Sequence, residues 1–369
     1  MAMICSDWEG PWVIADHAYE VAKKGITDGD RLFAGISEYD DYLSCVRRKE
    51  GYEPGDTLAL IAPFLIAYDV DDRLLINVAR ENANFIEGAF EAIRTLRTLG
   101  YCLKVVSTSY CQYVHYTTSI AGISSGDVRC TYFPINKYHS FVEESDKKLV
   151  RGMVHDIIDL PKLGINASTV EKDLPSYALQ AIKKLDDFFW TELPKTSFGQ
   201  VLRELTPLGG RRKFNAVEEA LEEEGKELHE TVIIGDSITD WVMLRETRDA
   251  GGLAVAFNGN DYAVRNANLA VLSDNCMITP IIVDLFEKRG IDRLSELAEN
   301  WNTKSVKDLV RSRDIDPLIY RKYIESLESS SQTKLPEVIW VTKENVEATV
   351  ERSKAIRKTV RGIAVGSLG

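Results

Sequence analysis

The chain has 369 residues, of which 44% are hydrophobic and 28% are charged, and its net charge is −12. This composition is typical of a soluble globular protein, and the length predicts a core domain with accessory modules rather than a single hydrophobic core. The negative charge argues against nucleic acid as a main partner, because binding a phosphate backbone needs a basic face. No apolar run reaches the roughly 20 residues that a membrane-spanning helix needs, and the N-terminus lacks the basic leader of a signal peptide.

The six cysteines and five histidines show no metal-binding spacing. The absence of Cys-x-x-Cys and His-x-x-x-His pairs disfavours a zinc site. We therefore expect reduced, mostly buried thiols in a cytoplasmic protein.

In chain order, the first predicted element is a short buried strand over residues 1–6, which ends at Asp7. Residues from about 12 to 82 are predicted to be mainly helical. An amphipathic helix follows over residues 85–99, and Gly100 stands where a C-terminal cap glycine belongs.

The rest of the chain alternates helices with short apolar strands, which indicates a parallel, doubly wound α/β sheet. The predicted strands are 102–106, 128–133, 231–234, 253–257 and 269–272. Residues from about 138 to 208, and those beyond Cys276, are predicted to be helical. Residues 329–334 are the best linker candidate.

Polar side chains that suit phosphate chemistry follow three of the predicted strands, and a lysine begins a helix before the third. Because open parallel sheets bind ligands at the carboxyl ends of their strands, these groups are expected to meet. They are Asp7 and Glu9, Ser107 and Thr108, Asp236 and Asp240, and Lys213.

These residue types divide the work of phosphoryl transfer between them. A carboxylate such as Asp7 can attack phosphorus, and a hard cation held by Asp236 and Asp240 would neutralise the negative charge that this attack brings together. Lys213 and a hydroxyl group can hold phosphoryl oxygens, and Glu9 can transfer protons.

Each of these residues also has an ordinary structural interpretation. An aspartate at a strand end is commonly a turn residue, a Ser-Thr-Ser run commonly caps a helix, and one lysine is commonly a surface group. The occurrence of all four elements in order favours a functional site.

The arrangement resembles the haloacid dehalogenase (HAD) superfamily, in particular its phosphoserine-phosphatase-like branch. Ile4-Cys5-Ser6-Asp7-Trp8-Glu9-Gly10 resembles the first motif, Val105-Val106-Ser107 the second, Lys213 the third, and Gly235-Asp236-Ser237-Ile238-Thr239-Asp240 the fourth. The opening is also similar in style to an archaeal group labelled energy-converting hydrogenase A subunit R.

The resemblance implies a HAD-like core formed by residues 1–11 and 84–275, with a helical cap over residues 12–83. Residues 138–208 are then an elaboration of the core or a second cap element, and residues 276–369 a C-terminal helical extension. It implies Mg²⁺ as cofactor, with Asp7, Glu9, Asp236 and Asp240 around it, and a catalytic set of Asp7, Glu9, Ser107, Thr108 and Lys213.

One residue departs from the family pattern. Phosphatases of the family usually have aspartate two residues after the nucleophile, whereas this chain has Glu9, whose acid group lies one methylene further out. Since a misplacement of about 1 Å can cost on the order of 100-fold in rate, the site is either built around the longer side chain or slow.

Two functions from different classes follow. The first is a Mg²⁺-dependent phosphomonoester hydrolase that acts on a small phosphorylated metabolite through an aspartyl-phosphate. The alternative is a HAD-fold regulatory or interaction subunit with weak or lost catalysis, which binds a protein partner through the C-terminal helical region.

The basic run from Arg352 to Arg361 is interpreted first as a solvated helix face and second as a surface for an acidic partner. A dinucleotide enzyme ranks behind both, because no Gly-x-Gly-x-x-Gly follows the first strand.

Overall fold

The computed structural model describes residues 1–165, 169–329 and 336–367. Its centre is a seven-stranded sheet in the order β3-β2-β1-β4-β5-β6-β7. Strands β1 to β6 are parallel, and β7 pairs antiparallel with β6 at the edge. The strands are β1 (Met3–Ser6), β2 (Cys102–Tyr110), β3 (Val128–Thr131), β4 (Thr231–Gly235), β5 (Leu253–Phe257), β6 (Leu269–Leu272) and β7 (Glu337–Trp340).

Helices cover both faces of the sheet, because successive strand residues point to opposite sides. Ile4 and Val232 lie in one hydrophobic cluster, while Met3 and Ile233 lie in another on the opposite face. The covering helices are α5 (Ala89–Thr98), α6 (Cys111–Ile120), α11 (Gly210–Glu224), α12 (Trp241–Asp249), α13 (Asp261–Asn266), α14 (Ile278–Glu299), α15 (Thr303–Arg311), α16 (Pro317–Ser329) and α17 (Val346–Arg361).

A third hydrophobic cluster joins the helices of region 12–83 to those of region 138–208. Phe64 of the first region, for example, packs against Phe188 and Phe189 of the second. This cluster joins the two regions, while both interpretations of residues 138–208 and the domain boundaries remain predictions. The helices are α1 (His17–Gly25), α2 (Gly29–Asp41), α3 (Thr57–Ala67), α4 (Asp72–Glu81), α7 (Ile135–His139), α8 (Glu144–Ile158), α9 (Ser176–Asp186) and α10 (Phe198–Glu204).

The predicted fold class is confirmed: the protein is an α/β fold around a doubly wound, mainly parallel sheet with helical accessory regions. Four elements differ from the prediction: β3 ends at Thr131 instead of residue 133, α5 begins at Ala89 instead of residue 85, and the other two are β2 and the segment after Cys276. Strand β2 continues to Tyr110, so that Ser107 and Thr108 lie within the strand instead of after it. The register between β2 and β3 is irregular between Val106 and Tyr110. The segment after Cys276 is not entirely helical, because β7 adds a strand to the sheet.

The expectation of reduced cysteines is wrong for one pair, since Cys111 and Cys130 form a disulfide. The pairing of Tyr110 on β2 with Thr131 on β3 brings the two cysteines together across 19 residues of sequence. His115, one turn along α6, lies beside Cys130, with its Nε2 3.6 Å from Sγ. Sequence spacing alone does not reveal a pair that a strand register creates.

Within the described ranges, no helix combines the length and the apolar character needed to cross a membrane. The predicted linker 329–334 lies, from residue 330 onward, outside the described residues.

Candidate active site

Asp7 follows β1 at the carboxyl edge of the sheet, beside the point where the strand order changes direction. Its side chain is buried, with 4% of the residue exposed. The backbone N–H of Asp7 donates to Ile234 O at 2.8 Å, which holds the residue against β4. Its Oδ1 accepts the N–H of Trp8 at 2.7 Å, and its Oδ2 lies 2.9 Å from Lys213 Nζ.

Lys213 lies on the first turn of α11 and is fully buried. Its ammonium group bridges two carboxylates, since Nζ also lies 2.6 Å from Asp240 Oδ1. Burial opposes the charge of Lys213, but the attraction of Asp240 and Asp7 outweighs this and raises its pKa above the ordinary value. The lysine is therefore a fixed positive charge against Asp7.

Asp240 shapes the loop that follows β4. Its Oδ2 accepts the backbone N–H groups of Asp236 at 2.8 Å and Ser237 at 3.0 Å, while its Oδ1 binds Lys213. Both oxygens are thus used to position neighbouring groups. Of the two aspartates predicted as metal ligands on this loop, Asp236 is the one whose carboxylate projects toward the cavity.

Three carboxylates meet where the sequence predicts a cation. Asp7, Asp236 and Asp240 each offer one oxygen, and these atoms all lie within 4.8 Å of one another. A side chain at Gly10, whose φ is +102°, would collide with the Asp236 carboxylate. Glycine at this position therefore leaves room for that carboxylate. Hard oxygen donors of this kind fit Mg²⁺.

Burial and the neighbouring Asp240 raise the pKa of Asp7 to about 8, against the opposing effect of Lys213. Lys213 therefore offsets only part of the effect that burial and Asp240 have on the Asp7 pKa. A bound divalent cation would lower that pKa, because it favours the charged form.

Glu9 lies outside the three-carboxylate cluster. Its Oε1 accepts the backbone N–H of His17 at 2.8 Å and the hydroxyl of Ser109 at 3.3 Å. Burial and the nearby carboxylate of Asp16 raise the pKa of Glu9 well above its ordinary value. A protonated carboxyl group next to Asp7 suits a proton donor better than a metal ligand.

The two predicted hydroxyl groups differ in what they contact. Thr108 Oγ1 donates to Leu208 O at 2.8 Å, so its proton is committed to the backbone. Ser107 Oγ accepts the N–H of Ser109 at 3.3 Å, and among the described residues no acceptor takes its own proton. Both side chains line the cavity, and Ser107 is the better placed to donate to a ligand.

A cavity of about 110 Å³ lies over the aspartates. It exceeds the roughly 10–15 Å³ that one water molecule requires. Its floor comes from the sheet edge, and its far wall comes from region 12–83, through Asp40, Gly55 and Thr57. Burial raises the pKa of Asp40 to about 7, although the carboxylate accepts the Tyr52 hydroxyl and two backbone N–H groups.

Two functional candidates escaped the sequence analysis. Arg357 and Arg361 of α17 are buried, line the cavity and contact the Asp236 carboxylate. The interpretation of this basic run as a solvated face is therefore wrong for these two residues, although Lys354 is only half-buried and Lys358 is exposed. Their spacing of four residues, which places them on one side of a helix, was the available signal.

The chain is similar over its whole length to a solved structure. This is the structure of gene product AF1437 from Archaeoglobus fulgidus, with 27% sequence identity, a TM-score of 0.76, and coverage of 100% of this chain and 99% of that one. No protein-family model matches the sequence, and no curated protein sequence matches it.

Two phosphoserine phosphatase structures are more distant. A phospho-aspartyl intermediate analogue has 16% identity and a TM-score of 0.43, and covers 73% of this chain and 92% of its own. A substrate-bound complex has 16% identity and a TM-score of 0.41, and covers 73% and 91%. At these TM-scores the likeness carries no conclusion about chemistry, and the narrower resemblance to the hydrogenase-associated group stays a prediction.

Proposed function

We propose that the protein is a cytoplasmic, Mg²⁺-dependent phosphomonoester hydrolase that acts on a small phosphorylated metabolite. The observation that carries this proposal is the cluster at the sheet edge, where the buried Asp7 carboxylate lies 2.9 Å from Lys213 and within 4.8 Å of the carboxylates of Asp236 and Asp240. A lysine and three carboxylates buried together at a strand end suit the transfer of an anionic group and have little value for stability alone.

In the first step, a carboxylate oxygen of Asp7 attacks the phosphorus atom. An acyl-phosphate bond forms, the bond to the leaving oxygen breaks, and Glu9 gives its proton to that oxygen. Lys213 and Ser107 hold phosphoryl oxygens while negative charge accumulates. The two arginines of α17 both contact Oδ2 of Asp236, so Mg²⁺ would be held by Asp7 and the other Asp236 oxygen, and would supply the remaining positive charge.

In the second step, water attacks the phosphorus of the aspartyl-phosphate. Glu9, now ionised, takes the proton of the water, the acyl-phosphate bond breaks, and inorganic phosphate leaves. Asp7 and protonated Glu9 are regenerated. The raised pKa of Glu9 supports this assignment, because it favours the protonated carboxyl group that the first step requires.

The test is phosphate release from a panel of phosphomonoesters, with and without EDTA. We expect Mg²⁺-dependent release by the wild type and none above background by Asp7→Asn, which keeps the side-chain shape and removes the nucleophile. Asp249→Asn, at an exposed position on α12, is the matched control and should behave as the wild type. Release that persists in Asp7→Asn would refute the mechanism.

Glu9 has its own test within the same assay. The backbone N–H of His17 is bound by the longer glutamate side chain, so Glu9→Asp should lose this contact and slow turnover. If no substrate is hydrolysed by the wild type and Glu9→Asp does not raise activity, the regulatory-subunit alternative is favoured.

A further inference from the structure

Helix α17 follows the edge strand β7 in the chain and runs back to the carboxyl edge of the sheet. Arg357 Nη1 donates to Asp236 O at 3.1 Å and contacts the Asp236 carboxylate, and Arg361 Nη1 lies 2.9 Å from Oδ2 of the same group. Only 3% of Arg357 and 8% of Arg361 is exposed. Two guanidinium groups therefore converge on one carboxylate inside the candidate active site.

The two arginines differ in how fully they are bound. Arg361 uses all three nitrogens: Nε donates to Ile14 O at 3.0 Å, Nη2 to Ala15 O at 3.2 Å, and Nη1 to Asp236. It ties the segment after β1 to α17. Its role is positional.

Arg357 is not fully bound. Its Nε is buried, and within the described part of the chain it has no hydrogen-bond partner. Leaving a buried donor unpaired is unfavourable, and more so when the group is charged. Arg357 lines the same cavity as Asp7 and Ser107, so a ligand in that cavity can satisfy the guanidinium group.

The charge of the cavity indicates what kind of ligand this is. Six carboxyl-bearing residues line it, against the two arginines of α17: Asp7, Glu9, Asp16, Asp40, Asp41 and Asp236. Without α17, none of the described residues that line the cavity would be cationic, and its carboxyl groups would oppose the approach of an anionic substrate. A planar guanidinium group matches the oxygens of a phosphoryl group, which it can bind through two N–H donors.

We propose that α17 completes the active site and that Arg357 binds an oxygen of the substrate's phosphoryl group, with Arg361 holding the helix in place. This rests on the proposed phosphoryl-transfer function. It assigns a catalytic role to a part of the chain that the sequence marks only as a basic helix.

The probe is inorganic phosphate, the product of the proposed reaction, with its binding measured by calorimetry in the presence of Mg²⁺. Removing a hydrogen bond to a charged group costs about 1.5–3 kcal/mol, so Arg357→Met should bind phosphate about 10- to 100-fold more weakly. Lys358→Met, at the next and exposed position, is the control and should bind as the wild type. Added guanidine should partly restore binding to Arg357→Ala but not to a variant that is merely unstable.

Arg357→Lys keeps the positive charge but lacks the planar guanidinium group. If Arg357→Met and Arg357→Ala do not fold, phosphate binding is measured with Arg357→Lys instead. A crystal structure of the wild type with phosphate gives a second measurement. A phosphate oxygen within hydrogen-bond distance of Arg357 supports the proposal, whereas phosphate bound beside Asp7 with Arg357 still held entirely by Asp236 overturns it. Wild-type phosphate affinity in a folded Arg357→Met also overturns it.

These outcomes separate the two proposals. Phosphate binding does not require turnover, so the Arg357 result can be read even if no ester is hydrolysed. Conversely, Asp7-dependent hydrolysis with unchanged phosphate affinity in Arg357→Met keeps the hydrolase and rejects the role of Arg357.

Discussion

The contact on which the site depends is the one that Lys213 makes between Asp7 and Asp240. All three side chains are buried, and the ammonium lies 2.9 Å and 2.6 Å from the two carboxylates. Ion pairs of this kind contribute little net stability, yet removing one partner leaves an uncompensated charge in the interior. The lysine thus positions both carboxylates, and under the proposed function it also supplies positive charge for phosphoryl oxygens.

Replacing Lys213 with methionine should affect activity and stability together. We expect phosphate release to fall by about 100-fold or more, and the free energy of unfolding to fall by about 3–5 kcal/mol. Lys226→Met is the control, because Lys226 pairs with Glu230 at the surface, where solvent screens such pairs and they contribute little to stability. A Lys213→Met protein with wild-type hydrolysis would show that the lysine has no catalytic role.

Asp7 should make stability depend on pH. Its pKa is raised to about 8 in the folded protein, so the folded state keeps a proton that the unfolded chain releases near pH 4. The stabilisation is full below about pH 4 and is lost as the pH rises toward 8. In EDTA, the melting temperature of the wild type should therefore fall more steeply between pH 5 and 8 than that of Asp7→Asn.

The same melting temperatures should also be measured with Mg²⁺ in place of EDTA. Because a cation that binds the folded state alone stabilises it, Mg²⁺ should raise the melting temperature of the wild type most at pH 8, where Asp7 is ionised. Equal pH slopes for wild type and Asp7→Asn, with no effect of Mg²⁺, would contradict the metal assignment.

At the scale of elements, the features that the sequence did not predict near β2 depend on how this strand pairs with β3. Strands β5 and β6 match their predicted bounds, because continuous apolar runs between turns mark buried parallel strands. The extension of β2 and the Cys111–Cys130 pairing depend on contacts with β3, which lie far apart in sequence. Strand β7 was missed, since a charged residue followed by three apolar ones cannot be distinguished from a helix segment by periodicity.

The disulfide should stabilise this edge of the sheet. Closing a loop with a sequence separation of 19 contributes about 3 kcal/mol in the chain-entropy model. We expect Cys130→Ser to lower the free energy of unfolding by about this amount, and a reducing agent to lower that of the wild type similarly. Cys102→Ser, which removes a free and partly buried thiol, is the control.

A different pattern would reject the disulfide. If the reducing agent leaves the stability of the wild type unchanged and Cys130→Ser unfolds as the wild type does, the two thiols contribute nothing as a pair.

At the scale of the whole molecule, the sequence located the groups that one sheet edge brings together, but not the group that a distant helix adds. Asp7, Lys213, Asp236 and Asp240 could be placed together because parallel strands end at a common edge. Their roles remain predictions. Arg357 could not be placed, because its position depends on β7 joining the sheet and on α17 returning across it.

The wall of the cavity likewise depends on tertiary contacts that sequence patterns do not predict. The helical character of regions 12–83 and 138–208 follows from the sequence, whereas their shared hydrophobic core depends on aromatic contacts between them. The placement of Asp40 against the site likewise depends on tertiary packing.

The central claim is that Asp7 forms a covalent bond to phosphorus, and trapping that intermediate tests it most directly. Turnover of the best substrate would be stopped with acid, and the peptide that contains Asp7 examined by mass spectrometry. We predict the added mass of one phosphoryl group on Asp7, lost on treatment with hydroxylamine and absent from Asp7→Asn. Phosphate release by an active wild type with no modified Asp7 peptide at any quench time, or with the phosphoryl group on another residue, would contradict the account.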